Sequence, residues 1–220
     1  MMTADTGSGP DSGPDSGPYR GSSPDPLDPL RRALAAPAGP SSDFDLNRDA
    51  GPPRLRQLRP AAVLVGIQPL PEGLRLVLTK RASHLRHHPG QIAFPGGKQD
   101  ESDPGLEAAA LREAREEIGL DPAAAQVLGH LPGHETVTGF AITPILARID
   151  PAFRPQAQPG EVEEVFRVPL DHVLDPARYR VERRLWLGQW RHYYIVPWGP
   201  YYIWGATARI LRGLAERVMR

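Results

Sequence analysis

Glu113, Glu116 and Glu117 stand at i, i+3 and i+4 within Leu111-Arg112-Glu113-Ala114-Arg115-Glu116-Glu117-Ile118-Gly119-Leu120. On a helix, that spacing sets three carboxylates on one face. Like charges so placed repel, so the arrangement costs helix stability unless something cationic lies over it. Ligands that are all oxygen suit a hard cation such as Mg²⁺ or Mn²⁺. Leu111, Ala114 and Ile118 form an opposing apolar stripe able to anchor the helix to a sheet. By itself such a run is also common on solvated helices, where Arg112 and Arg115 would simply pair with the acids. Its neighbourhood decides between the two.

Upstream lies a basic run, Lys80-Arg81-Ala82-Ser83-His84-Leu85-Arg86-His87-His88, which leads into Phe94-Pro95-Gly96-Gly97. Arginine is the preferred fork for phosphate oxygens. Glycines let the backbone approach a ligand or metal closely. An acidic metal centre beside a basic loop suits a polyphosphate that carries charge at more than one place. The histidines offer no separate zinc site, because no further element supplies the remaining ligands.

These residues need a scaffold. Asp103 reads as a helix N-cap, Pro104 as the first helical position and Gly119 as the stop. Ala61 to Ile67 reads as a buried strand and Leu74 to Thr79 as a second, with Pro71-Glu72-Gly73 turning between them. Ile92 to Phe94, Gln126 to Leu131, Ala141 to Ile149 and Val165 to Val168 read as further strands. Leu170 to Tyr179 reads as a short helix. A hairpin follows across Gly188, and an amphipathic helix from Trp204 to Met219 closes the chain. This irregular order predicts an α/β fold with a mixed sheet between helices. Residues 1–50 differ: Gly9-Pro10-Asp11-Ser12 repeats as Gly13-Pro14-Asp15-Ser16. Such a composition predicts a disordered leader, with one short amphipathic helix near 27–35 on Leu27, Leu30 and Leu34 that is able to dock on the domain. The folded domain is expected over 54–220.

The acidic helix resembles the Nudix box. Every fixed position of the box's second half is present, from Arg112 to Leu120, with Ala114 as a small member of the aliphatic set. The first half is one residue longer than the general pattern between Gly97 and Arg112. The box acid that holds Arg112 then falls at Asp103, with Asp100 and Glu101 as rivals. The coenzyme A pyrophosphatase branch of the family has this longer loop. The basic run resembles the signature that precedes the box in that branch, with Val77 standing where a leucine is usual and every other fixed position agreeing. Thr138-Gly139-Phe140, Thr143-Pro144 and Tyr201 to Ala208 extend the likeness over most of residues 55–215.

The resemblance implies a Nudix fold and a pyrophosphohydrolase using Mg²⁺ or Mn²⁺. Glu113 and Glu117 would bind metal, with Glu116 and the carbonyl of Gly96 or Gly97 as further ligands. Arg112 and Asp103 would brace the carboxylates. Glu164 is the first choice for the residue that orients or deprotonates water, and Glu161 the second. Arg81, Arg86 and Gly96 would hold substrate. That substrate would be coenzyme A or an acyl thioester, cleaved to 3′,5′-ADP and 4′-phosphopantetheine or its acyl form. The alternatives are ADP-ribose, NADH or a nucleoside triphosphate as substrate, and a Nudix-fold module that binds a nucleotide without cleaving it. Most of the C-terminal aromatics, Trp186 to Trp204, read as packing.

Composition narrows partners. Twenty-six basic residues balance 26 acidic ones. No global pull toward nucleic acid or an anionic membrane follows, and a small molecule is the expected partner. The chain has no cysteine, which fits a reducing cytoplasm and rules out thiolate metal sites. The first residues do not read as a secretory signal, and no apolar stretch is long enough to span a bilayer. Self-association into a homo-oligomer stays open.

Overall fold

The computed structural model describes residues 25–47, 57–186 and 188–220. The Gly-Pro-Asp-Ser repeat and the expected domain start near Arg54 lie outside the described residues. In chain order the elements are α1 (Asp28–Ala35), β1 (Ser41–Ser42), β2 (Arg59–Leu70), β3 (Gly73–Arg81), β4 (Ile92–Ala93), β5 (Gly96–Lys98) and α2 (Leu106–Ile118). They continue with β6 (Ala125–His130), β7 (His134–Glu135), β8 (Phe140–Ile149), β9 (Val162–Pro169), α3 (Leu170–Leu174), β10 (Arg180–Trp186), β11 (Gln189–Ile195) and α4 (Gly205–Val218). Strands β1 to β9 form one mixed sheet, and β10 and β11 form a separate antiparallel hairpin. In the sheet, β2 and β8 run parallel at its centre, from Arg59 opposite Phe140 to Ile67 opposite Arg148.

The period-2 alternation of β2 builds both layers. Ala62 and Leu64 face α2, where they meet Ala110, Ala114 and Ile118, while Val65 and Ile67 face the layer of α1, α3 and α4. Strand β8 repeats the division, with Ile145 and Ala147 on the α2 side and Leu146 on the other. Leu64, Ile67, Ile145 and Leu146 are fully buried, each worth about 2 kcal/mol of transfer free energy. The expected α/β sandwich is therefore the observed one.

Two local readings change. Helix α2 begins after Gly105, not after Asp103, and lacks a side-chain cap. The Asp103 carboxylate is engaged by Arg112, so it cannot cap. The stop at Gly119 is as expected: it adopts φ 69° and donates to the Ala114 and Arg115 carbonyls. The helix expected through Tyr179 ends at Leu174, since Pro176 and the bond from Ala177 N to Asp175 Oδ1 turn the chain into a short 3₁₀ segment.

The largest difference concerns residues 25–47, expected within a disordered leader. Leu27, Leu30 and Ala33 are buried in the core. Strand β1 pairs in parallel with β7. His134 is fully buried, with Nδ1 bonded to Ser41 Oγ at 2.9 Å and Nε2 to Asp43 Oδ1 at 3.1 Å. Asn47 exchanges two bonds with the His192 backbone. The short helix expected near 27–35 is present and docked, and burial of Leu27, Leu30, Ala33 and Phe44 offsets the ordering entropy of the polar residues around it. Leu30→Ala should destabilise the protein by about 2–5 kcal/mol in urea unfolding. A change below about 0.5 kcal/mol would show that the arm is not part of the core.

Candidate active site

The site is built where β5 and α2 meet. Strand β5 pairs with β2, Val63 opposite Gly96 and Ala62 opposite Gly97. Gly96 adopts φ 152°, and a Cβ there would lie 2.4 Å from the Ala62 carbonyl oxygen. A Cβ on Gly97 would lie 2.5 Å from Glu113 Oε1. Gly96 is thus required by its close approach to the sheet backbone, while a side chain at Gly97 would push the Glu113 carboxylate aside.

Arg112 organises the acids. Its Nε and Nη2 donate to the two oxygens of Asp103, each at 3.0 Å. Nη2 also donates to the Lys98 carbonyl at 3.1 Å, and Nη1 donates to Glu113 Oε1 and Glu116 Oε2, each at 3.0 Å. Of the three acids that could hold Arg112, the geometry selects Asp103, which also accepts the Asp100 N–H. The bond to Asp103 first, then those to Glu113, hold the Arg112 pKa above its ordinary value. The same pair holds the Asp103 carboxyl below its usual range.

Glu117 is only 4% exposed. Its Oε2 accepts the Gly96 N–H at 3.1 Å, and its Oε1 lies 3.8 Å from Arg81 Nη1. Burial pushes its carboxyl up to about 7, with the charges of Glu113 and Glu161 adding to the rise and the Gly96 N–H and Arg81 opposing it. Burial likewise raises Glu113, against Arg112 and with Glu116 and Glu161. Glu116 is exposed.

The basic run hangs from the same place. Between β3 and β9 the register slips at Lys80/Arg81, with Glu163 as the extra residue. Glu163 bonds to Lys80 at 2.6 Å and to the Ser83 hydroxyl. Arg81 N donates to the Gln91 carbonyl and Gly90 N to that of Arg81, which closes the base of the loop. Arg81 therefore lies beside the carboxylates, whereas Arg86 is exposed farther along the loop. Of the acids at the start of β9, Glu161 is the one whose charge is felt at both Glu113 and Glu117. Glu164 accepts instead from Tyr201 at 2.5 Å. That Tyr201 contact was not legible in the sequence, because nothing in an aromatic cluster reveals which hydroxyl meets an acid.

The donors fit a divalent cation. The charge of Glu161 is felt at both Glu113 and Glu117, and carboxylate and carbonyl oxygens are the donors that such a cation takes. Among the described residues no three acidic or histidine side chains already enclose one point. Glu113 and Glu116 are held by Arg112, and Glu117 by Gly96.

Comparison with known proteins gives the family. Residues 58–189 match the NUDIX domain. The chain is 42% identical over 168 residues to a protein named uncharacterized Nudix hydrolase NudL from Enterobacter sp., covering 73% of this chain and 83% of that one. It is 41% identical over 185 residues to the NudL protein of Salmonella dublin, covering 80% and 92%. Among solved structures, a Nudix hydrolase from M. smegmatis, RenU, aligns with a TM-score of 0.45 and 26% identity over 54% of this chain and 75% of that chain. The chain belongs to the Nudix family. It is a Nudix hydrolase, of a family that acts on small nucleotide substrates with the help of divalent metal ions.

Two outcomes follow from the carboxylates. The folded protein keeps a proton on Glu117 up to about pH 7, while the unfolded chain loses it near the usual 4.5. That proton contributes stability in full below the unfolded value, and the contribution disappears as pH rises through the folded one. In chelator, the melting temperature should fall between about pH 5 and pH 8, with this group contributing at most about 3 kcal/mol, and Glu117→Gln should flatten the slope. An equal slope in the variant would remove Glu117 as its source. Gly97→Ala should displace the Glu113 carboxylate and lower turnover about a hundredfold while circular dichroism is unchanged. Parental turnover in that variant would contradict the close approach.

Proposed function

We propose that the protein hydrolyses the diphosphate of coenzyme A or its acyl thioesters, releasing 3′,5′-ADP and 4′-phosphopantetheine or its acyl form. The observation that carries this reading is the position of the basic run, whose Arg81 stands 3.8 Å from the buried Glu117. A substrate lying over the carboxylates meets that run at once. The run also resembles the signature of coenzyme A pyrophosphatases.

Glu113 and Glu117 are the residues that would hold Mg²⁺ or Mn²⁺, with Glu116 and the Gly97 carbonyl as further ligands. When bound, such a cation neutralises the bridging diphosphate and lowers the pKa of water. Arg112, itself fixed by Asp103, keeps Glu113 and Glu116 oriented. Water adds to one phosphorus, the bond from that phosphorus to the bridging oxygen breaks, and two phosphate monoesters leave. Glu164, the first choice from the sequence, already accepts from Tyr201, so Glu161, whose charge reaches Glu113 and Glu117, is the carboxylate that takes the proton from that water, with Glu164 second. Arg86 and Arg81 hold phosphate away from the scissile bond, and the Gly96 backbone approaches the substrate closely. The metal-side carboxylates meet the same diphosphate in coenzyme A and in dephospho-coenzyme A. Only a cation placed elsewhere tells the 3′-phosphate apart.

The test is mass spectrometry of products after incubation with Mg²⁺ or Mn²⁺ and coenzyme A, dephospho-coenzyme A, ADP-ribose or NADH. Coenzyme A should give 3′,5′-ADP and 4′-phosphopantetheine with the highest kcat/KM, and Glu117→Gln should abolish the reaction. Arg86→Ala should cost coenzyme A about tenfold more than dephospho-coenzyme A, the worth of one charge-assisted bond. A higher kcat/KM for ADP-ribose or NADH would overturn the assignment. An unaltered ratio in Arg86→Ala would remove that residue as reader of the 3′-phosphate.

A further inference from the structure

The hairpin of β10 and β11 stands apart from the main sheet and pairs with no third strand among the described residues. Its two outer edges differ. At the edge of β11, Asn47 exchanges two bonds with the His192 backbone, and Trp204 bridges to Ile195. Along the other edge, every residue of β10 is exposed. An open edge of this length is a template for another strand.

The bonds to Asn47 also fix which backbone groups β10 offers. Opposed residues in an antiparallel pair alternately exchange their backbone bonds and point them outward. His192 points its N–H and C=O at Asn47, so Arg183, which lies opposite, points its own away from β11. Val181 and Leu185 do the same by the period of two. The run itself reads Arg180-Val181-Glu182-Arg183-Arg184-Leu185-Trp186. Turned antiparallel on itself about Arg183, it sets Val181 opposite Leu185, Glu182 opposite Arg184 and Arg180 opposite Trp186, each twice. The smallest shift that keeps the backbone bonds is two residues in either strand. That shift sets Glu182 against Glu182 or Arg184 against Arg184.

We propose that the outer edge of β10 pairs with the same edge of a second copy of this chain, about a two-fold axis at Arg183, so that the two hairpins form one four-stranded antiparallel sheet. Such an isologous contact needs a self-complementary surface, and the β10 edge is one. Arg184 faces Arg191 within its own hairpin, a repulsive pair that Glu182 of the second copy relieves. Glu182 is already oriented by the Tyr202 hydroxyl, which donates to its Oε2. Val181, Leu185 and Trp190 share one face of the hairpin and are 50, 56 and 55% exposed. Pairing joins that face to its counterpart as one apolar strip. The like pair at the axis is Arg183, whose guanidinium lies over its own Trp190 ring at 4.7 Å. Nothing in this inference depends on which substrate the carboxylate centre cleaves.

The experiment is sedimentation velocity of the full chain from micromolar concentrations upward. A dimer is expected. Glu182→Arg and Arg184→Glu should each raise the dissociation constant at least about tenfold, because two attractive pairs become repulsive. Arg184→Glu is the stricter variant, since within one hairpin it improves the contact with Arg191. Loss of the dimer there, with circular dichroism unchanged, is not loss of the fold. Mixed in equal amounts, the two variants should recover a dimer, in which the arginines of one copy meet the glutamates of the other. A parent protein that stays monomeric overturns the proposal. So does a dimer that neither substitution weakens, or a mixture no more associated than its separate components.

Discussion

The acidic centre depends on one guanidinium. Glutamates at i, i+3 and i+4 repel and weaken a helix. Arg112 answers with five hydrogen bonds: two to Asp103, one each to Glu113 and Glu116, and one to the Lys98 carbonyl. These bonds join α2 to β5 and to the loop between them. The same contacts that relieve repulsion therefore also fix where the helix lies against the sheet. A lysine, with a point charge and no planar fork, could not span these partners at once. Asp103 serves that network at the expense of helix capping, which is why α2 starts later than its sequence suggests.

Behind this network stands the sheet. Alternation along β2 and β8 sends half of each strand to α2 and half to the opposite layer. The carboxylate face of α2 looks outward because Ala110, Ala114 and Ile118 are committed inward. The short β5 brings Gly96 N–H to Glu117 and lets Glu113 rest on Gly97. The bulge at Lys80/Arg81 and the closed base of the loop bring a cation to the other side of Glu117. Burial of that carboxylate raises its proton affinity, against the pull of the backbone donor and the arginine.

The arm before the sheet has a different role. It covers the layer of α4, adds β1 beside β7, and ties its end to the hairpin through Asn47 and His192. Arg217 of α4 fastens it by donating to the Leu34 and Ala36 carbonyls. No described helix is long and apolar enough to cross a membrane.

The sequence by itself determined what short-range pattern can encode. The period-2 strands, the amphipathic α4, the carboxylates at helical spacing, the Gly119 stop and the box itself were legible because each depends on residues a few positions apart. Tertiary structure decided what depends on long-range approach. Asp103, Asp100 and Glu101 are alike in sequence, and only the folded loop shows which carboxylate meets Arg112. Glu161 and Glu164 both precede the same apolar run, but a bulge and a distant tyrosine give them different surroundings. The helical spacing of Leu27, Leu30 and Leu34 was legible, but the segment around it looked too polar to fold because composition averages over its length. Burial instead depends on whether its few leucines find a matching surface, and that surface is assembled from α4 and β6, far away in the chain.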